Sequence, residues 1–427
     1  MEKKRILIEG FKLAEGKKDG CFRYTVELLK GLHRLQVQEN FDFGVEVLIG
    51  GQALPLSDLA QDLEGYLHRH WEKRASIERM AKLRQKTADI ITSTAPFLIK
   101  PLKKIDHLFK LTKKIEKSHV SALPRGKHYD LIHLTLPQSF NLIENQKTHH
   151  HLVTIHDCTH RLFPEFHTWE NVDRAEQGFQ FSVKKEATFI AVSESAKTDL
   201  INLYNVSPDR VFTIYEAANP SIFLPIRNPS VIRSLKDRYN IPQDAHYLLT
   251  LSTLEPRKNL TNTLKAFGKL KEKIGNANVY LVIAGQLGWK YDQFLSELEN
   301  QRDKIIFTNF VPDKDLAALY SGALGFSFVS HYEGFGLPAL EAMMCGIPVV
   351  FGNRGSLPEV VGDGGLPADP EDIDDISSCF ANLIQDSEKR EALSLKALDR
   401  AGQFSWDTTA KRTFAIYQSL LDKTGKG

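Results

Sequence analysis

Two series of alternating strand-like and helix-like segments, the second restarting near Tyr247, constrain this chain more than any other feature. In the first series, short apolar or β-branched runs fall at Arg5–Gly10, Val45–Gly50, Tyr129–Leu134, Leu152–Asp157, Thr188–Ser193 and Val211–Glu216. Helical spacing lies between some of them. Thr25–Leu35 carries Val26, Leu29, Leu32 and Leu35, and Glu194–Tyr204 follows the fifth run. The second series has runs at Tyr247–Ser252, Val279–Gly285, Ile305–Val311, Phe326–Ser330 and Ile347–Phe351. Helical patterns over 259–273, 291–300, 315–323, 337–345 and 372–385 separate them. Runs without in/out alternation suit parallel strands covered on both faces. Between the series, Asn219–Asn240 shows no clear period and reads as a linker. The pattern predicts an α/β protein of two doubly wound, Rossmann-like domains facing across a cleft, over residues 1–225 and 226–403.

A length of 427 residues leaves room for two or three domains of about 150. With 42% hydrophobic and 25% charged residues, collagen-like, low-complexity and wholly disordered classes are excluded. No run approaches about 18 apolar residues, so no membrane-spanning helix is expected. Lys3, Lys4 and Arg5 are followed only by Ile6-Leu7-Ile8 before Glu9, too short for a signal-peptide core. The cysteines Cys21, Cys158, Cys345 and Cys379 are scattered and form no C-x-x-C pair. A reducing, cytoplasmic home is the expectation.

Chemistry concentrates in Ser330–Glu341, reading Ser-His-Tyr-Glu-Gly-Phe-Gly-Leu-Pro-Ala-Leu-Glu. A predicted strand ends there, a Gly-rich turn follows, and Pro338 opens a helix. The amides of Gly334, Phe335, Gly336 and Leu337 become helix-start donors without intrahelical partners, a ready anion site. Glu333 and Glu341 flank it, placed to accept hydroxyl hydrogen bonds on either side of a bound pyrophosphate. A nucleotide-sugar has that pattern. The same stretch matches the dinucleotide fingerprint G-x-G-x-x-A, although that fingerprint usually follows a domain's first strand. A turn selected only for tight packing is the alternative.

Glu255-Pro256-Arg257-Lys258-Asn259 directly follows the strand run Tyr247–Ser252. Ligands bind outside the carboxyl ends of strands in open parallel sheets. Arg257 and Lys258 are placed there to neutralise a departing diphosphate, or else form a solvated basic pair before a helix that Asn259 starts. At another strand end lies Thr154-Ile155-His156-Asp157, where Asp157 is the expected orienting partner of His156, unless the histidine is structural. Gly20 precedes the first helix and either approaches a phosphate or acceptor, or makes the turn. No metal site is expected. His149-His150-His151 point to opposite strand faces, and Asp372-Ile373-Asp374 fits a helix's first turn.

Together these segments resemble the retaining glycosyltransferases of family 4, which have the GT-B architecture, from about Arg5 to Leu421 and excluding residues 51–127. The most specific part is Glu333–Glu341, the family's Glu-x7-Glu motif. It continues through Cys345-Gly346-Ile347-Pro348-Val349-Val350 and Gly355-Ser356-Leu357-Pro358-Glu359. Leu254–Asn259 looks like the phosphate-binding segment, which gives Arg257 and Lys258 the diphosphate. His156-Asp157, with Phe163-Pro164-Glu165 beyond it, looks like the first-domain His loop, whose His lies by the transferred sugar. The resemblance further implies Glu333 on that sugar, Glu341 on the ribose and Val311 against the base. It also implies a terminal helix, within 404–427, that crosses back to the first domain. Phe22 departs from the family, standing where a small residue is usual, and Ser252 replaces a phosphate-binding Arg of some members.

The implied activity is transfer of a hexose from a nucleoside-diphosphate sugar to a hydroxyl of a glycan or lipid-linked acceptor, without cofactor or metal. The Leu-Glu-Pro-Arg-Lys-Asn and Ile-His-Asp variants look most like bacterial surface-polysaccharide mannosyl- and rhamnosyltransferases. They favour GDP-mannose over UDP- or dTDP-sugars. An NAD-dependent oxidoreductase is the rival from another class, but a hydride-transfer constellation is missing. A sugar-nucleotide epimerase of the same architecture lacks recognisable acid/base groups, and a silent homologue fits poorly with both glutamates retained.

Residues 64–127 hold 16 Lys/Arg against 6 Asp/Glu in a chain of net charge +2, so the remainder is acidic. Within this insertion, residues 101–117 place Leu102, Ile105, Leu108, Phe109 and Ile115 at helical spacing among lysines. That pattern suits an anionic membrane surface, giving a peripheral location on its inner face, or a solvated helix packed on the first domain. No nucleic-acid reader motif is present.

Overall fold

In a computed structural model of the chain, which describes residues 3–39, 41–94, 127–253, 255–274, 278–285 and 304–423, the apolar runs pair into two sheets. The first contains β1 (Arg5–Glu9), β2 (Gly44–Ile49), β3 (Gln52–Pro55), β4 (Leu131–Leu134), β5 (His150–Ile155), β6 (Thr188–Ala191) and β7 (Val211–Thr213). Their order is β3-β2-β1-β4-β5-β6-β7. Ile6, Leu7 and Ile8 of β1 are wholly buried, as a strand covered on both faces requires. The second sheet contains β8 (His246–Leu251), β9 (Val279–Ala284), β10 (Ile305–Asn309), β11 (Gly325–Phe328), β12 (Val349–Gly352) and β13 (Gly365–Ala368). Its order is β10-β9-β8-β11-β12-β13, with each neighbouring pair parallel.

The order of the second sheet reverses between β8 and β11, whose register sets Leu248 beside Gly325. A crevice opens outside the carboxyl ends of two such strands because their connections leave to opposite sides. Helices Leu260–Ile274 and Ile373–Gln385 cover one face of this sheet. Leu264, Phe267 and Leu270 of the first and Ile376, Phe380 and Leu383 of the second pack with Leu248, Leu281 and Val350. Each large apolar side chain buried this way contributes about 1.5–3 kcal/mol.

The chain divides into two compact units. One comprises Met1–Thr154, Ala175–Phe189 and Ala410–Gly427, the other Ile155–Arg174 and Ile190–Thr409. The terminal helix, Trp406–Lys423, begins in the second unit and continues into the first. In the first unit its Phe414 stacks on Phe41, ring centroids 4.3 Å apart, and its Tyr417 hydroxyl lies 2.7 Å from His133 Nδ1.

Several local expectations are corrected. The stretch read as an aperiodic linker contains a helix, Pro229–Arg238, whose start is capped by the Asn228 side chain. Gly20 is the exposed first residue of helix Gly20–Glu39 and not part of the loop before it. Asp19 Oδ1 accepts from Phe22 N, so the helix begins earlier than its apolar stripe. β7 and β10 stop short, leaving Glu216 and Val311 in the loops beyond them. The basic insertion begins in helix Leu63–Thr94. There Trp71 Nε1 donates to Leu13 O at 2.8 Å, and its ring lies 6.0 Å from that of Phe22. Phe22 is thereby absorbed into packing. The helical patterns at 101–117 and 291–300 lie outside the described residues. Among the described residues, no helix is long and apolar enough to cross a membrane.

Candidate functional site

Beyond β8, the segment Pro256–Lys258 makes a single 3-10 turn and Asn259 adopts a left-handed conformation, φ 55°, before helix Leu260–Ile274. Asn259 Nδ2 donates to Val329 O at 3.1 Å and Pro370 O at 2.7 Å, tying the turn to the chain leaving β11. The backbone link His331 N to Arg257 O, 2.9 Å, completes the junction. The two carboxyl-end loops at the switch point are therefore one assembly.

Arg257 and Lys258 converge on Glu333. Arg257 NH1 donates to Glu333 Oε2 at 2.7 Å, and Lys258 Nζ donates to Oε1 at 2.7 Å. Arg257 NH2 also donates to Glu255 Oε1 at 2.8 Å. With 14% of its side chain exposed, Arg257 is not the solvated cation of the bland alternative. Burial works against its charge, but Glu333, Glu255 and Asp157 hold it firmly protonated. Burial likewise pushes the Glu333 carboxyl up, yet Arg257 and Lys258 outweigh it and keep the pKa below the ordinary value. Arg257 Nε is buried with no hydrogen-bond partner among the described residues. This is a charge cluster with a donor to spare.

The Gly-rich turn feeds helix Leu337–Met344, with Pro338 in its first turn and Gly336 at its N-cap, φ 101°. Gly336 offers no capping side chain, so the helix-start amides keep their anion-binding capacity. Phe335 and Leu337 contribute only backbone here, their side chains being buried. Ser356 straps the turn from behind, its Oγ donating to Glu333 O at 3.0 Å and Phe335 O at 2.8 Å. Glu341, buried in the helix's second turn, accepts from the Tyr320 hydroxyl at 3.2 Å.

Gly334 answers to packing as well as to anion access. A Cβ there would fall 1.8 Å from His156 O and 2.9 Å from Asp157 Cβ. The His loop and the Glu333 turn are thus in backbone contact. Asp157 hydrogen-bonds forward along the chain. Its Oδ1 accepts from Thr159 N at 2.9 Å and Thr159 Oγ1 at 2.6 Å, at the start of the short helix Thr159–Leu162. His156 Nδ1 lies 3.0 Å from Glu216 Oε1. Sequence reasoning missed Glu216, although it ends a predicted strand just as His156 nearly does. Val311 is buried in the loop after β10, and Gly20 belongs to the other unit. Asp372 caps helix Ile373–Gln385 through the amides of Asp374 and Asp375, one residue ahead of the first turn where the sequence placed it. Among the described residues, no group of three or more His, Cys, Asp or Glu is arranged to hold a metal ion.

Residues 231–400 match the model of the family described as glycosyl transferases group 1. O-antigen chain mannosyltransferase B of Escherichia coli is 36% identical over 271 residues, 63% of this chain and 70% of that protein. Serotype-specific mannosyltransferase WbdA of the same species is 33% identical over 258 residues, 57% of this chain but only 31% of that protein. Among solved structures, Anabaena HepE in complex with UDP and glucose superposes with a TM-score of 0.64 at 18% identity, covering 97% of this chain and 99% of that one. Sucrose-phosphate synthase from Thermosynechococcus elongatus gives 0.65 at 17% identity, covering 98% of this chain and 100% of that one. At these identities the likeness shows the fold, which is GT-B.

Proposed function

The chain belongs to the glycosyl transferases group 1 family, and we propose that it transfers mannose from GDP-mannose to a hydroxyl of a glycan or lipid-linked acceptor, with retention of configuration. The observation that carries this reading is the convergence of Arg257 and Lys258 on Glu333 at the start of helix Leu337–Met344. A diphosphate entering there exchanges places with the Glu333 carboxylate. It takes Arg257, Lys258 and the helix-start amides as its partners. Glu333, released, accepts from hydroxyls of the sugar, while Glu341 takes the ribose. The choice of mannose follows the mannosyltransferase relatives.

In the reaction, the bond from the anomeric carbon to the diphosphate oxygen breaks and the acceptor oxygen bonds to the same face. The acceptor proton passes to the departing phosphate oxygen. Charge grows on the diphosphate as the bond breaks, so preorganised donors lower the barrier where that charge appears. Arg257, Lys258 and the helix N-terminus meet this demand, and the proposed reaction needs no metal. The four cysteines are free thiols, which supports a reducing, cytoplasmic setting.

The test is nucleoside diphosphate release from GDP-mannose, UDP-glucose and dTDP-rhamnose, each with and without EDTA, in wild type and Lys258→Ala. The expected result is preferential turnover of GDP-mannose, unchanged by EDTA and lowered on the order of 10²-fold in the variant. Near-wild-type turnover in the variant, or loss with EDTA, contradicts the reading.

A further inference from the structure

The carboxylate that bonds His156 comes from a residue with no place in the reading so far. Glu216 is 3% exposed, and its Oε1 lies 3.0 Å from His156 Nδ1. A carboxylate in that position accepts, so Nδ1 carries the proton it donates. In a neutral imidazole the opposite nitrogen, Nε2, is then the acceptor; in the charged ring it is a donor.

The backbone of His156 is fixed separately. Its carbonyl abuts Gly334, where even a methyl group has no room. Gly334 bears on the backbone of His156, and Glu216 bears on its ring. Glu216 is itself braced by its neighbour Tyr215. The Tyr215 carbonyl accepts from Thr409 Oγ1 at 2.7 Å, its hydroxyl donates to Glu359 Oε2 at 3.2 Å, and its ring meets Phe404 edge-on at 5.6 Å. Asp157, the sequence neighbour, is engaged with Thr159.

We propose that Glu216 is a positioning residue that holds His156 in its Nδ1–H tautomer and aims Nε2 at the transferred sugar. The aim at the sugar rests on the function proposed above; the tautomer does not. A histidine with a fixed tautomer presents one defined hydrogen-bonding character to a sugar hydroxyl. A ring free to flip presents two, and only one is productive.

The test combines the ring ¹⁵N–¹H long-range spectrum of His156, assigned by its loss in His156→Asn, with GDP release from GDP-mannose. Wild type, Glu216→Gln, Glu216→Ala and His156→Ala are compared, all checked for folding by thermal unfolding. In wild type the proton is expected on Nδ1. In Glu216→Ala it redistributes toward Nε2, and kcat falls on the order of tenfold to a hundredfold while KM for GDP-mannose stays within about twofold. Glu216→Gln, which keeps size and an accepting oxygen, retains more of both; it carries the test if the alanine variant does not fold. A wild-type proton on Nε2 overturns the proposal, and so does Glu216→Ala with an unchanged tautomer and kcat. If His156→Ala turns over at the wild-type rate, the placement of His156 by the sugar fails, and the spectrum still decides the role of Glu216.

Discussion

Glu333 serves two partners in turn. In the free protein it neutralises Arg257 and Lys258 at 2.7 Å each, and under the proposed function donor binding takes both from it for the diphosphate. Glu333→Gln removes the internal competitor and leaves two buried cations less compensated. Its expected effect is a loss of about 3 kcal/mol of stability in the free protein, since breaking a buried pair strands its partner. GDP should then bind about five- to tenfold tighter, an electrostatic gain of about 1 kcal/mol. The pH dependence has a definite sign. Burial raises the Glu333 pKa, Arg257 and Lys258 lower it more, and the folded value lies below the unfolded one. The stability it provides is therefore full above the ordinary carboxylate pKa and is lost as pH falls through the folded value. Urea unfolding from pH 7 downward should show a shallower acid loss in Glu333→Gln than in wild type. Equal acid limbs together with weaker GDP binding would contradict this account. Arg257, Lys258 and Glu333 were each legible in the sequence because charged residues at strand ends carry a chemical meaning. Their pairing was not, because it depends on β8 and β11 being neighbours although about 75 residues separate them. Glu216 was illegible for the same reason, since only the fold brings it to His156.

At the scale of elements, the segment Gly355–Glu359 shows what a motif beside the chemistry contributes. Gly355, φ 61°, leaves room for Glu333 O, and Ser356 hydrogen-bonds the turn. Glu359 reaches helix Glu194–Tyr204, where its two oxygens accept from Glu194 N and Ser195 N at 3.0 Å each. The helix dipole favours a carboxylate there, and two amides otherwise unpaired are satisfied. Glu359→Ala is expected to cost about 1–2 kcal/mol in thermal or urea unfolding, the range of a lost cap. An unchanged midpoint would show that solvent replaces the carboxylate without penalty. The core strands and helices such as Leu260–Ile274 and Ile373–Gln385 were visible because burial on both faces or on one stripe leaves a period in the chain, whereas Trp169–Lys184 and Ser387–Ala401 were not singled out. β3 and β13 escaped notice. Each is a four-residue edge strand containing a proline, Gln-Ala-Leu-Pro and Gly-Leu-Pro-Ala, which reads as turn chemistry. Helix Pro229–Arg238 buries only Leu235, too little to leave an apolar stripe.

For the whole molecule, the two series of strands became two sheets, and the later of them places its switch point under the residues of the candidate site. Under the proposed function this switch point binds a nucleoside diphosphate through Arg257, Lys258 and the helix at Leu337. The most direct measurement is thermal unfolding with GDP, UDP, dTDP, ADP and NAD at equal concentration, in wild type and in the double variant Arg257→Gln, Lys258→Gln. A ligand present at 100 times its Kd adds about 2.7 kcal/mol of stability, a readily measured shift. Selective stabilisation of wild type by GDP and little shift in the double variant are expected. Stabilisation by NAD alone, or an equal GDP shift in both proteins, would contradict the proposed binding.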